Sequence, residues 1–291
     1  MEYLRGNATA SATALFVICR YLSAIGAGQT DEELQASLEV LRSLNSTRDE
    51  ASAVFKASLT VGEGLGLFSR SDSRSPWMAN MDIAKALRTE GDMWPWFRGE
   101  LLFRIGSHAL KALEVDKKVP DLALGLTWFL QQSPLRPLQL TWGLGPEKAL
   151  TDIGFEAVSG TAQWRPFGRW ALATGLARRC DHRGARVLIP DASTAISDQF
   201  AHLPKAANAQ EWLSALQARL PIFGVPALLK ELPQGGQDWQ ALPPGVVIGL
   251  LKLERANVLS LEPSDDAADV VAIGFGKANR QVGRISVKGL K

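Results

Sequence analysis

Apolar residues recur along the first 80 positions at the spacing of helices and then of short strands. Ala10, Ala14, Phe16, Val17, Ile18, Tyr21, Leu22 and Ile25 cover much of one helix, which Gly26 and Gly28 end. Thr30 with Glu33 three residues on makes a capping box, opening a second helix that carries Leu34, Leu38 and Leu41. Asn45, Ser46 or Thr47 caps a third, with Ala51, Val54, Phe55 and Leu59 at helical spacing. Gly62, Gly64 and Gly66 are expected to break that helix, residues 65–69 to extend as a strand, and SRSDSRSP to form a turn-rich tip before Trp77 and Met78. Helix, helix, helix, strand, wing, strand is the order of a winged helix, which assigns residues 1–80 to one such domain.

Residues 81–205 read as a helical central domain, with candidate helices at 82–89, 94–106, 120–132 and 146–153. Over residues 163–179, Trp164, Phe167, Trp170, Leu172 and Leu176 line up apolar groups. A strand at 185–189 is followed by a turn at Asp191, a helix through Phe200, and another helix over 209–220. Residues 206–276 resemble a second winged-helix-like unit. There Pro243 and Pro244 open a helix, residues 258–261 form a strand, PSDDAAD is a loop, and residues 270–275 return as that strand's partner. Residues 277–291 are left as a basic tail. The expected fold class is therefore mainly α with small β-hairpins, with winged-helix units at both ends of a helical middle.

Composition narrows the picture. A chain of 291 residues has room for two or three compact units, and apolar and charged fractions of 46% and 21% are those of ordinary globular proteins. A net charge of +2 is too mild to identify a polyanionic partner, so local distribution must carry that argument. Cys19 and Cys180 are far apart, with only His108, His182 and His202 to join them, so no zinc site, metal or cofactor is expected. The apolar run 8–27 is interrupted by Arg20 and several polar residues, so it reads as a core helix and not a membrane span. It also lacks the basic start and cleavage site of a secretory signal, giving the expectation of a cytoplasmic protein with no membrane partner.

Recognisable catalytic chemistry is not legible, and no catalytic residue is assigned. VGEGLGLF follows a helix and lacks the GxxxxGK[ST] pattern, while GLGPEK fails the same test. HExxH, GxSxG and DFG-like sets do not occur. Asp181-His182 lies in the basic stretch RRCDHRG, which reads as a solvated turn. Asp265, Asp266 and Asp269 read as a wing tip, because a calcium loop needs more oxygen ligands and tight glycine turns.

Candidate nucleic-acid contacts come from cations. In the third helix Arg48 and Lys56 are balanced by Asp49 and Glu50, a poor balance for reading a groove. The first wing offers Arg70 and Arg74 against Asp72. Arg165 and Arg169 alternate with Trp164, Phe167 and Trp170; such a set can stack bases, but helical spacing favours buried aromatics with arginines on the solvated edge. Arg178, Arg179, Arg183 and Arg186 extend that basic region. The tail carries Lys277, Arg280, Arg284, Lys288 and Lys291 with no acid, making it the clearest electrostatic candidate for a polyanion. A merely solvated terminus, or one docked on the acidic region before it, fits equally well.

The helix-helix-helix-wing start, the central WRPFGRWALATGLA and the late LLKLERANVLSLEPSDDAADVVAIGF together resemble DpdG proteins. These belong to the bacterial gene cluster that inserts 7-deazaguanine bases into DNA and restricts unmodified DNA. The resemblance covers most of the chain and rests on layout, with no catalytic motif to carry over. It implies a non-enzymatic accessory or adaptor component of a phage-defence system, acting with ATPase, helicase or nuclease subunits, with double-stranded DNA as candidate ligand. Two alternatives stay open: a winged-helix scaffold that binds only protein, and a winged-helix transcription regulator.

Overall fold

The structure, a computed structural model, describes residues 2–39, 47–182, 184–233, 239–264 and 270–288. Helices make up about half of it, and the described strands gather in small antiparallel sheets. A single cluster of buried side chains runs from Tyr3 to Ile285.

Local signals place the first elements. Helix α1 (Ala12–Ile25) opens where Ser11 Oγ accepts the Ala14 amide at 3.1 Å and closes at Gly26, whose φ is +69°. Helices α2 (Asp31–Glu39) and α3 (Arg48–Gly64) each begin with a reciprocal capping box, Thr30 with Glu33 and Thr47 with Glu50. Leu41, Asn45 and Ser46 lie outside the described residues. Strands β1 (Phe68–Ser69) and β2 (Met78–Ala79) form a short hairpin, and Gln29 and Trp77 exchange backbone hydrogen bonds of 3.1 and 2.7 Å. The segment between α1 and α2 is thereby paired with the chain entering β2. The break expected at Gly62 and Gly64 does not occur, because α3 runs through both. A Cβ at Gly62 would stand 2.1 Å from the Phe68 ring, so this glycine lets helix and hairpin touch, and the turn falls to Gly66 with φ +63°.

In the middle, α4 (Met81–Leu87) packs on α1. Helix α5 (Trp94–Glu114), with Pro95 in its first turn, runs beyond the expected end because Ala109 and Ala112 continue its buried face. Helix α6 (Asp121–Leu130) is buried at every residue except Leu124, as a helix apolar all round should be. Strand β3 (Leu138–Gln139), α7 (Pro146–Thr151) and α8 (Thr161–Ala173) follow, then β4 (Ala177–His182), β5 (Ala185–Pro190) and α9 (Ser193–Ser197). The expected solvated loop at RRCDHRG is instead most of β4 and the turn after it, paired in register from Ala177 opposite Pro190 to His182 opposite Ala185. It is an edge strand, so its exposed charged residues keep it from pairing further, at the expense of the apolar alternation that would have marked it. Arg183 and the His182 side chain lie outside the described residues.

The last part departs furthest from expectation. It comprises β6 (Ala206–Asn208), α10 (Ala209–Arg219), α11 (Pro226–Lys230), α12 (Pro244–Arg255), β7 (Leu259–Pro263), β8 (Val271–Ile273) and β9 (Arg280–Val287). Strands β7 and β8 do not pair as a hairpin; each pairs with β9, as does β6. The supposed basic tail therefore supplies the central strand of a sheet. Val282 and Ile285 are fully buried, and Ile285 faces Leu261 across the ladder. A register shift between Glu262 and Pro263 interrupts the two-residue periodicity of β9. Asp265, Asp266, Asp269 and Lys291 lie outside the described residues.

Candidate nucleic-acid interface

The exposed stripe of α3 consists of Asp49, Glu50, Ala53, Lys56, Thr60 and Glu63, one lysine among three acids. The Arg48 side chain lies outside the described residues. In the β1–β2 hairpin, Arg70 approaches Asp31 at 3.4 Å, donates to the Ser73 carbonyl at 3.1 Å and stacks over Trp77 at 4.3 Å. Asp72 organises the tip by accepting the amides of Arg74 and Ser75 and the Ser75 hydroxyl at 2.8 to 2.9 Å. The bond from the Arg74 amide, then the Ser75 hydroxyl, hold its carboxyl below the usual range. Arg74 itself projects into solvent.

Trp164, Phe167 and Trp170 are at most 1% exposed, so they are core and not a stacking platform. Trp164 stacks on Phe167 with centroids 5.3 Å apart and donates from Nε1 to the Leu140 carbonyl at 3.0 Å. Arg165 and Arg169 remain on the exposed side of α8. The cations of the former tail are dispersed by the sheet. Lys277 is exposed in a short 3-10 helix, Arg280 pairs with Glu254, Arg284 is exposed opposite Glu262 and Asn208, and Lys288 donates to Asn257 Oδ1 at 3.2 Å.

What the fold does bring together is a strap formed by residues 3–9. The amides of Tyr3, Leu4 and Arg5 donate to the buried Asp121 carboxylate at 2.6, 2.9 and 3.0 Å. Tyr3 Oη and His108 Nδ1 share a 2.5 Å hydrogen bond. The Arg5 guanidinium donates to the Glu156 carbonyl and to Ser159 Oγ at 3.4 Å. Farther along, Arg169 Nη2 donates to the Ala8 carbonyl at 2.8 Å, and the Thr9 hydroxyl donates to the Ala53 carbonyl of α3 at 3.1 Å. Ala53 lies three residues before Lys56 on the same exposed stripe. The strap, which carries Arg5, a residue that sequence reasoning missed, thus bridges α8, which bears Arg165 and Arg169, and α3, which bears Lys56. Nothing local marks Arg5, since its position depends on Asp121.

Residues 2–267 match the protein family described as DpdG-like. The chain belongs to the DpdG-like family. That membership associates it with the 7-deazaguanine DNA modification system. No curated protein and no solved structure matches it.

In this DpdG-like chain the cations sort by partner. Arg70, Arg98, Arg104, Lys118, Arg178, Arg219, Lys252 and Arg280 each lie within 4 Å of a carboxylate. Among the described residues, Arg5, Lys56, Arg165 and Arg169 belong to the cations without such a partner, as do Arg20, Arg74, Arg88, Arg179 and Arg186; Arg5 and Arg169, like Arg20 and Arg88, are held by neutral oxygens. Neither cysteine completes a site, because Cys19 is buried with its thiol pushed well above the usual range by desolvation, and Cys180 is an exposed strand residue. Among the described residues, no cluster of three or more His, Cys, Asp or Glu is placed to hold a metal ion, and no helix is long and apolar enough to cross a membrane.

Proposed function

We propose that this chain is a non-enzymatic adaptor of the 7-deazaguanine DNA modification and restriction system, working in the cytoplasm in phage defence. Its N-terminal unit is read as a winged helix. The observation that carries this is the Gln29–Trp77 pairing, which adds a third extended segment to the β1–β2 hairpin and gives the order helix, strand, helix, helix, strand, strand. A second winged-helix-like unit, α10 to α12 with β7, closes through β9 instead of through a simple hairpin. Its partners are the ATPase, helicase or nuclease subunits of the same cluster, together with duplex DNA held by phosphate contacts.

The acidic stripe of α3 weighs against groove reading by that helix, because a recognition helix must bring donors and cations to base edges in a field already rich in negative charge, and it leaves phosphate contact to cations outside the stripe's acids. The same stripe supports the second reading, a scaffold that docks protein alone, and it weighs against a sequence-specific transcription regulator. The deciding experiment is fluorescence anisotropy of the purified full chain on a labelled duplex across a salt series, beside co-purification with the other cluster proteins. Salt-sensitive, sequence-indifferent binding together with a stoichiometric partner supports the adaptor. Partner capture without DNA binding selects the scaffold, and binding to one sequence far above others selects the regulator.

A further inference from the structure

We infer that the phosphate-contacting surface is the N-terminal strap with the adjoining exposed arginines of α8, and that Asp121 is the residue that positions it. This rests on the DNA-binding part of the proposed function. An aspartate in the first turn of a helix ordinarily gives its oxygens to that helix's own amides. Asp121 does so only with Leu122, at 2.8 Å, and otherwise accepts three successive amides from a segment 116 to 118 positions earlier. It is 4% exposed, so no water competes effectively for those bonds.

The clamp decides where Arg5 stands. With the Arg5 amide on Asp121, the guanidinium reaches the Glu156 carbonyl and Ser159 Oγ just before α8. The strap then passes Arg169, which holds the Ala8 carbonyl, and reaches α3 through Thr9 beside Lys56. Arg165 projects from α8 one turn before Arg169. Arg5 and Arg169 are oriented by carbonyl and hydroxyl oxygens with no carboxylate paired to them, which is what contact with successive phosphates requires, whereas Lys56 shares its stripe with Asp49, Glu50 and Glu63. Each phosphate so engaged releases counterions and steepens the salt dependence of binding by about 0.9. The partner fitting this surface is the backbone of duplex DNA, contacted without regard to base sequence.

The test extends the same anisotropy experiment to full-length Arg5→Ala, Arg165→Ala and Asp121→Asn. Each arginine variant is expected to lower the slope of log K against log salt by about 0.9. Asp121→Asn should lower it further than Arg5→Ala, and should add less in an Arg5→Ala background than alone, since part of its effect passes through Arg5. A merely structural aspartate would lower the folded fraction and leave the slope of the folded protein unchanged. Should Asp121→Asn fail to fold, hydrogen exchange of the wild-type chain decides: the Tyr3, Leu4 and Arg5 amides are expected to be protected and to slow further when duplex is added. Exchange at open-chain rates overturns the clamp. Wild-type binding with unchanged slopes in both arginine variants overturns this surface while leaving DNA binding to other cations. No salt-dependent binding by the wild type removes the DNA reading itself, and this inference with it.

Discussion

Two faces of the molecule use arginine differently. On α5, Arg98 grips Asp198 in a bidentate pair of 2.5 and 2.8 Å, and Arg104 pairs with Glu100 at 2.8 Å while donating to the carbonyls of Leu65 and Gly66. Arg219 from α10 approaches the other Glu100 oxygen at 3.8 Å, stacks over Phe103 at 4.3 Å and donates to Gln199 at 3.1 Å. Along the strap, by contrast, Arg5 and Arg169 meet only neutral oxygens and Arg165 meets solvent. Neutralised charges tie elements to one another, whereas uncancelled ones remain available to a partner. Counting basic residues along the chain cannot tell these uses apart.

The comparison breaks most visibly at Asp198, whose side chain is 5% exposed against 14% for Arg98. Asp198→Ala leaves a guanidinium buried without its carboxylate, and the expected loss is about 3 to 5 kcal/mol in urea unfolding. DNA binding by the remaining folded protein should keep its wild-type salt slope. Arg104→Ala comes next, because it removes the link from α5 to the turn after α3 and frees Glu100. The expected cost is about 1.5 to 3 kcal/mol, again with the slope unchanged. A slope change in either variant would end the separation between the two faces.

Much of this architecture is legible in sequence where the cause is local. The Thr30–Glu33 capping box, the helix after Pro243, and the burial of Trp164, Phe167 and Trp170 follow from spacing within a few residues. What stays hidden depends on distant partners. In RQVGRISV, Val282 and Ile285 both face inward although three positions apart, because the ladder slips beside Pro263; with its arginines this resembles a tail more than a strand. Strand β4 is charged because it is an edge, and β3 and β6 are too short to show a period. The strap is hidden for the same reason. Its position is written in Asp121, more than a hundred residues away, so Lys56, Arg165 and Arg169 could be named as candidates but not joined.

On the strap side the effects on stability are smaller and those on binding larger. Arg169→Ala removes one exposed hydrogen bond to the Ala8 carbonyl, with an expected cost of about 0.5 to 1 kcal/mol. Its salt slope on duplex DNA should nevertheless fall by about 0.9, the reverse of the pattern at Arg104. Loss of stability without loss of slope would place Arg169 with the α5 arginines as a structural tie.

The smallest expected effect is a pH dependence at the start of the strap. Burial lowers the His108 pKa, and Lys111 nearby pushes the same way. Burial, and then Asp121, raise that of Tyr3 well above its usual range, so the phenol keeps its proton and donates to neutral His108 Nδ1. Above the ordinary histidine pKa of about 6.5 the folded and unfolded chains both carry neutral His108, and this contribution is fully present. As pH falls through the depressed folded value, the ring must take a proton against its environment, Nδ1 ceases to accept, and the contribution is lost. Between pH 7.5 and pH 5, exchange of the Tyr3 amide should therefore accelerate relative to that of α6 after correction for intrinsic rates. His108→Gln, which can accept without titrating in this range, should flatten that difference. An unchanged acceleration in His108→Gln would assign the acid sensitivity to another group and leave Asp121 alone as the strap's anchor.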